Sequence, residues 1–389
     1  MWIKHKKIIS LGKVLLLLVI LLLSGTVAWG CYGIRDKPEG GSGGVISNGT
    51  LFLGSIEGSL VAIDLSNHAR LFPDVPLEDS RPSSGGFGCA TTASTTVAIY
   101  GNPAVSGDLV YVGGYNGKIY AINSSSGVIK WEYPSGSSRL QPIVGGPIVA
   151  LGKVYFGCSD GKVYALAADT GLWQWDFQTG DAIWPTPVFD GGTLYIGSFD
   201  KKLYALDAFT GEEKWEEPFE TQGAIASTPL VYNNTIYVGS FDRRLYAVDI
   251  TDGSEKWSSF EGGKWFWAKP VAYNNAIYAA NLDGKVYVLD SESGDKLAEF
   301  DLKSPISSSP VLVDDLVIIA SEEGKVYSLD TSNNLNPKEL KILEEKIYAP
   351  LCASNGVVYI HAQTSEQDTL YALNTQTGVT LWSLLLSSK

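Results

Sequence analysis

The sequence predicts an all-β fold, an eight-bladed β-propeller of four-stranded antiparallel blades, and three observations carry that prediction. The first is self-similarity. Laid together, VYVGGYNGKIYAI (110–122), LYIGSFDKKLYAL (194–206) and IYVGSFDRRLYAV (236–248) are one unit, which recurs at 155–166, 278–289, 318–329, 359–373 and, more weakly, 52–63. The marker positions Val61, Tyr120, Tyr164, Tyr204, Tyr246, Tyr287, Tyr327 and Tyr371 follow one another at steps of 59, 44, 40, 42, 41, 40 and 44 residues. That spacing is typical of propeller blades. The second observation is a period of two inside each unit, with β-branched and aromatic residues alternating with small or polar ones, which marks strands. The third is composition: 42 Gly, 20 Tyr and 11 Trp, with 45% apolar and only 18% charged residues, fit a large β core and exclude intrinsic disorder.

In chain order, residues 1–30 read as a signal peptide. Lys4, Lys6 and Lys7 precede an apolar run from Val14 to Leu23, and small residues follow. Ala28 and Gly30 offer small side chains to an ordinary signal peptidase, while Gly30-Cys31 matches the end of a lipobox. Lipidation of Cys31, plain secretion and an uncleaved anchor are thus three routes of export. Two or three acyl chains on Cys31 would suffice for stable membrane attachment, at about 0.8 kcal/mol per buried methylene. Residues 31–44, rich in Gly, read as a flexible tether, and 45–389 as the propeller.

Each unit places two strands around a tight turn, with Asn116-Gly117, Asp160-Gly161 and Asp283-Gly284 supplying the residues that accept positive φ. A second turn carries Gly171, Gly211, Gly253, Gly294 and Gly378. Four residues later stands a tryptophan, Trp131, Trp175, Trp215, Trp257 or Trp382, with Ala298 in the sixth unit. Prolines 103, 147, 187, 229, 270, 310 and 350 open the next unit, where no ladder donor is needed. Four strands cannot bury both their faces alone, so the units must stack radially, with each outer-strand tryptophan docked on its neighbour. The eight units form one domain, and a monomer is expected.

The run Ala205-x-Asp207-x-x-Thr210-Gly211-x-x-x-Trp215 resembles the tryptophan-docking repeat of the PQQ-like (pyrroloquinoline-quinone-like) β-propellers, over about nine tenths of the chain. That family includes quinoprotein dehydrogenases, BamB-type lipoproteins of outer-membrane assembly and exported propellers without assigned roles. The resemblance therefore implies the fold and leaves the function to the residues. The dehydrogenases hold their quinone between a Trp and a disulfide of adjacent cysteines, beside a calcium ion and a catalytic Asp. No Cys-Cys pair exists in this chain. PQQ and calcium belong to the alternative reading only, a dehydrogenase acting on alcohols or sugars.

Charge narrows the partners. The net charge is −13, and beyond residue 30 the chain carries 25 basic against 42 acidic residues, which excludes nucleic acid. Three His and four Cys leave little material for a zinc site. The recurring Asp160, Asp200, Asp242 and Asp283 read as turn residues bonding their own backbone, not as metal ligands. The Asn-x-Ser/Thr triplets at Asn48, Asn123 and Asn233 are glycosylation acceptors by pattern alone.

Binding residues are expected where each blade returns to the next across the mouth of the central channel. Tyr100, Trp184 and Trp267 stand three positions before a proline and Tyr348 two before Pro350, and Trp265-Phe266-Trp267 adds a dense aromatic patch. Tyr100, Trp184, Trp265, Trp267 and Tyr348 are the candidate rim, suited to stacking on a sugar, peptide or planar ligand; packing between blades is the competing reading. The long first step makes 71–96 an inserted loop containing Cys89, which is able to pair with Cys158 or Cys352 or remain free. The function read from these features is an exported, membrane-anchored, non-catalytic scaffold of the cell envelope that binds a protein or an extracytoplasmic polymer.

Overall fold

A computed structural model of the chain describes residues 41–77, 97–331, 336–365 and 367–388. The signal segment, Cys31, Cys89 and residues 78–96 of the inserted loop lie outside them.

Every described element is a strand, and the strands form eight antiparallel sheets. The blades span 45–76, 104–133, 148–178, 188–220, 230–261, 271–301, 311–342 and 352–388, numbered one to eight below. Each sheet is ordered as the chain runs, from a three-residue inner strand to an outer strand, as in Ile148–Ala150, Lys153–Gly157, Lys162–Ala167 and Trp173–Gln178. Blade one adds a fifth piece from the start of the inserted loop, Val75–Pro76, paired with Ser59 and Leu60.

The core lies between blades. In one layer Tyr155, Val163, Ala165 and Trp175 of blade three meet Leu194, Ile196, Tyr204 and Leu206 of blade four, and seven further layers repeat the arrangement. A flat sheet with two apolar faces is satisfied only by a neighbour on each side, so the ring must close.

The outer strands lock each blade to the next. Trp131, Trp175, Trp215 and Trp257 donate their indole N–H to the carbonyls of Ala168, Ala208, Ile250 and Ser291, each in the third-to-fourth-strand turn of the following blade. The glycine of that turn takes a positive φ and lies beneath the indole; a Cβ on Gly171, Gly211, Gly253 or Gly294 would stand 2.6–2.7 Å from ring atoms. Phe72 does the same over Gly127 between blades one and two. Trp382, at the other side of the seam, stacks instead on His68 at 4.9 Å, and His68 holds the left-handed backbone, φ 60°.

The ring closes side chain to side chain. The final strand Thr380–Ser388 pairs within blade eight, and Val45–Ser47 pairs within blade one. Leu51, Leu53, Val61 and Ile63 then pack on Tyr359, Leu370, Ala372 and Leu386. The buried His361 bonds the Ser42 carbonyl and the Asp368 carboxylate, both at 3.0 Å, and Asp368 also accepts the Ile56 N–H at 2.9 Å. Arg70 donates to the Leu386 carbonyl at 2.8 Å. Residues 41–44, read from composition as the end of a tether, are thereby fixed: Ser42 is fully buried and its hydroxyl donates to the carbonyls of Gly43 and Gly101. Glycine is required there because a Cβ on Gly43 would meet the Pro350 carbonyl at 2.5 Å.

Candidate functional site

In the returns from outer to inner strand a buried residue is followed by a less buried one and then by a bend, at Gly101, Gly145, Pro185, Ser227, Ala268, Ser308 and Ala349. Counted back from the first residue of each inner strand, the fifth position is buried in the blade: Ile99, Ile143, Ile183, Ile225, Phe266, Ile306 and Ile347, none more than 2% exposed. The fourth must then face the mouth of the channel. It is Gly41, Tyr100, Val144, Trp184, Ala226, Trp267, Ser307 and Tyr348 in blades one to eight. Aromatic residues of even-numbered blades alternate with smaller ones of odd-numbered blades. Leu351 takes the place that proline holds elsewhere, which brings Tyr348 into the same register as the other three.

The alternation lets rings lean over the small positions. Trp184 and Trp267 come from blades four and six, yet their centroids are 6.5 Å apart, edge to face, across Ala226 of blade five. Phe199 and Phe241, at the hairpin tips of blades four and five, complete the group: Trp184 packs on Phe199 at 4.5 Å, and Phe241 stacks on Trp267 at 5.7 Å and on Trp265 at 4.5 Å. Trp265 is 46% exposed. Beside it runs a groove of about 480 Å³ lined by Arg243, Lys264, Trp265, Leu282, Pro305 and Glu322.

Trp184, Trp265 and Trp267 are thus one cluster. Tyr100 belongs to a separate pair, edge-on to Tyr115 at 5.5 Å, and burial, with Tyr115 second, pushes its phenol up to about 12. Tyr348 carries the Lys346 ammonium over its ring at 5.8 Å. The sequence reading missed Phe199, Phe241, Leu282 and Tyr115. The signal was present: each stands immediately before the turn Asp or Asn, and the phenylalanines recur in the two SFD triplets.

Two hairpin tips are strained in the same sector. Lys201 and Arg243 adopt φ 73°, where blades three and six hold Gly161 and Gly284. A left-handed non-glycine residue costs about 1–2 kcal/mol, so these exposed cations are kept against backbone preference. The adjoining aspartates are occupied. Asp200 accepts Tyr204 Oη at 2.7 Å, the Lys202 N–H at 3.0 Å and the Gly180 N–H at 2.6 Å, and Asp242 and Asp283 repeat the pattern. Burial first and these bonds second push the Tyr204, Tyr246 and Tyr287 phenols above the ordinary range.

The family profile described as outer membrane protein assembly factor BamB matches residues 19–176 and 159–384. The chain belongs to this family. Among solved structures it is similar to BamB from Moraxella catarrhalis, 18% identical, over 82% of this chain and 91% of that one, with a TM-score of 0.66. It is equally similar to the computationally designed Ika8 protein, 17% identical, over 83% and 93% of the two chains, TM-score 0.65. At these identities the likeness is one of fold, and a designed protein sharing it illustrates that the fold alone carries no function. Curated proteins gave no match.

The quinone pocket of the resembling dehydrogenases does not fit the residues present. Cys158 and Cys352 lie in blades three and eight as free thiols, and among the described residues no three His, Cys, Asp or Glu side chains are grouped to hold a metal.

Proposed function

We propose that this family member is a non-catalytic protein-binding scaffold of the cell envelope, and that its partner docks on the aromatic sector of blades four to six. The observation that carries the reading is the five-ring cluster of Trp184, Phe199, Phe241, Trp265 and Trp267 beside an open groove, flanked by strained cations at Lys201 and Arg243. Exposed indole next to Arg and Lys is the composition of an interface centre, where aromatic residues and Arg dominate binding energy. Export through residues 1–30 and anchoring through Cys31 would keep the propeller at the membrane, where membrane-embedded partners are within reach.

The test is co-purification from detergent-solubilised envelope of the native host, comparing the wild-type chain with Phe241→Ala/Trp265→Ala. The double variant should lose the co-purifying protein while keeping its fold. Retention of the same protein at wild-type yield would overturn the assignment of this sector. Mass spectrometry of the mature N-terminus decides between lipidated and unmodified Cys31.

A further inference from the structure

The groove beside Trp265 is built on a repeated backbone contact. In blades five to seven the residue at the hairpin tip donates its N–H to a carbonyl of the return leading into the same blade: Phe241 to Ala224, Leu282 to Trp265 and Glu322 to Pro305, at 2.8–3.1 Å. Where blades five and seven have Ala224 and Pro305, blade six has an indole. That indole leans back on the tip of blade five, its ring 4.5 Å from that of Phe241 and 19° from parallel. Phe241 thereby covers one indole face, and the exposed remainder of Trp265 lines the groove together with Leu282 of the same blade and Pro305 of blade seven.

The remaining lining is charged. Arg243 comes from the tip of blade five, Lys264 from the return into blade six and Glu322 from the tip of blade seven. Arg243 is already paired with Glu261 at 2.8 Å. The side chains of Lys264 and Glu322 form no hydrogen bond or ion pair among the described residues, with each other or with any neighbour. The groove thus offers one unmatched cation on its blade-six side and one unmatched anion on its blade-seven side, with the apolar side chains of Trp265, Leu282 and Pro305 sharing the lining.

Covering an unmatched charge costs free energy unless the ligand brings its opposite. A purely apolar ligand would leave both charges unmatched, and a phosphate or other anion would satisfy Lys264 while setting like charge against Glu322. We propose that the groove receives an extended segment of the docked protein in which an acidic and a basic side chain bracket an apolar one. The acid lies opposite Lys264 and the base opposite Glu322, and a Trp, Phe or Leu side chain packs on Trp265, Leu282 and Pro305. The volume of about 480 Å³ suits such an anchor with its neighbours, falling within the range of about 300–1,000 Å³ usual for sites that enclose small ligands. The buried anchor supplies affinity, and the flanking charges select the partner and its direction of approach. This assignment deepens the docking reading of the aromatic sector and rests on it.

Selection of a random heptapeptide phage library on the immobilised full chain tests it, with Phe241→Ala/Trp265→Ala, Lys264→Glu and Glu322→Lys as parallel baits. The wild-type chain should enrich sequences in which an acidic and a basic residue bracket Trp, Phe or Leu, and the Phe241→Ala/Trp265→Ala bait should not retain them. A synthetic copy of the enriched peptide, followed by fluorescence anisotropy, should bind Lys264→Glu and Glu322→Lys each about fivefold or more weakly. Both variants should keep the wild-type melting temperature, because neither side chain has a partner to lose. Reversing the peptide's acid should restore binding to Lys264→Glu alone, and reversing its base should restore binding to Glu322→Lys alone, a pairwise rescue that a structural role would not produce. No enrichment over the Phe241→Ala/Trp265→Ala bait, enriched peptides lacking the charge pair, or a peptide indifferent to either reversal overturns the proposal. Co-purification from the envelope keeps the two readings apart. A protein lost with Phe241→Ala/Trp265→Ala but retained by both charge reversals leaves the docking sector in place and removes its charged recognition; one retained by all three variants removes both.

Discussion

Trp175 lies flat over Gly211, the indole of one blade on the turn of the next, with the glycine at φ 81° and no room between them for a methyl group. Gly211→Ala therefore combines left-handed strain with a collision against a side chain only 7% exposed. A loss of about 2–4 kcal/mol is expected, the strain supplying roughly 1–2 of it. Gly152 is the control: its φ is 69° but no atom lies within 4 Å of a Cβ placed there. Gly152→Ala should cost only the strain. Denaturant melts of the two variants give the comparison, and equal losses would mean that indole contact contributes nothing.

The seam between blades one and eight is held by a buried His–Asp pair, found in no other layer among the described residues. His361 Nδ1 donates to the Ser42 carbonyl, which only accepts, and the other ring nitrogen meets Asp368. Removing one member of such a buried pair costs about 3–5 kcal/mol, because its partner stays desolvated. His361→Ala should lower the melting temperature by several degrees and speed amide exchange at residues 42–44 before the rest of the ring. A double-mutant cycle with Asp368→Ala should return a coupling above about 1 kcal/mol. Additive losses would show that the ring closes on its apolar layer alone.

Much of this architecture was legible because the repeat repeats its physics: alternation sets the strands, Asp-Gly sets the hairpins and the spaced tryptophans set the docking. The seam was not. His361, Asp368 and Ser42 are far apart in sequence and obey no repeat, since they exist only where the first blade meets the last. At the mouth, Trp184 and Trp267 stood out by composition, but their meeting across Ala226 depends on which residues share a register, and only the inner-strand starts fix that. Phe199 and Phe241 were missed because they adjoin the turn residues Asp200 and Asp242.

Both described cysteines should be inert in the native state. Burial raises the Cys158 and Cys352 thiols to about 12, and Cys158 also donates to the Gln141 carbonyl at 3.2 Å. The reactive species is the thiolate, whose fraction falls tenfold for each unit the pKa lies above the pH. At pH 8, iodoacetamide should leave the peptides bearing these residues unlabelled by mass spectrometry until denaturant is added. Rapid native labelling of either would contradict the packing of blade three or blade eight.

The strained tips at Lys201 and Arg243 offer the sharpest separation of stability from function. Lys201 is exposed, it bonds Ser198 and Thr221 only through its own main-chain N–H and C=O, the carbonyl accepting both the N–H and the hydroxyl of Thr221, and its φ suits glycine. Lys201→Gly relieves strain without deleting a contact of the core, so a gain approaching about 1 kcal/mol is expected, reduced by the greater freedom of glycine in the unfolded chain. Arg243→Gly should gain less, because it also loses the exposed pair with Glu261 at 2.8 Å, an interaction of the kind that contributes under about 1 kcal/mol. If these cations are held for a partner on the aromatic sector, both variants should bind it more weakly despite melting at the same or higher temperature. A stabilised Lys201→Gly with undiminished partner binding would remove the cations from the interface and leave the rings to account for it.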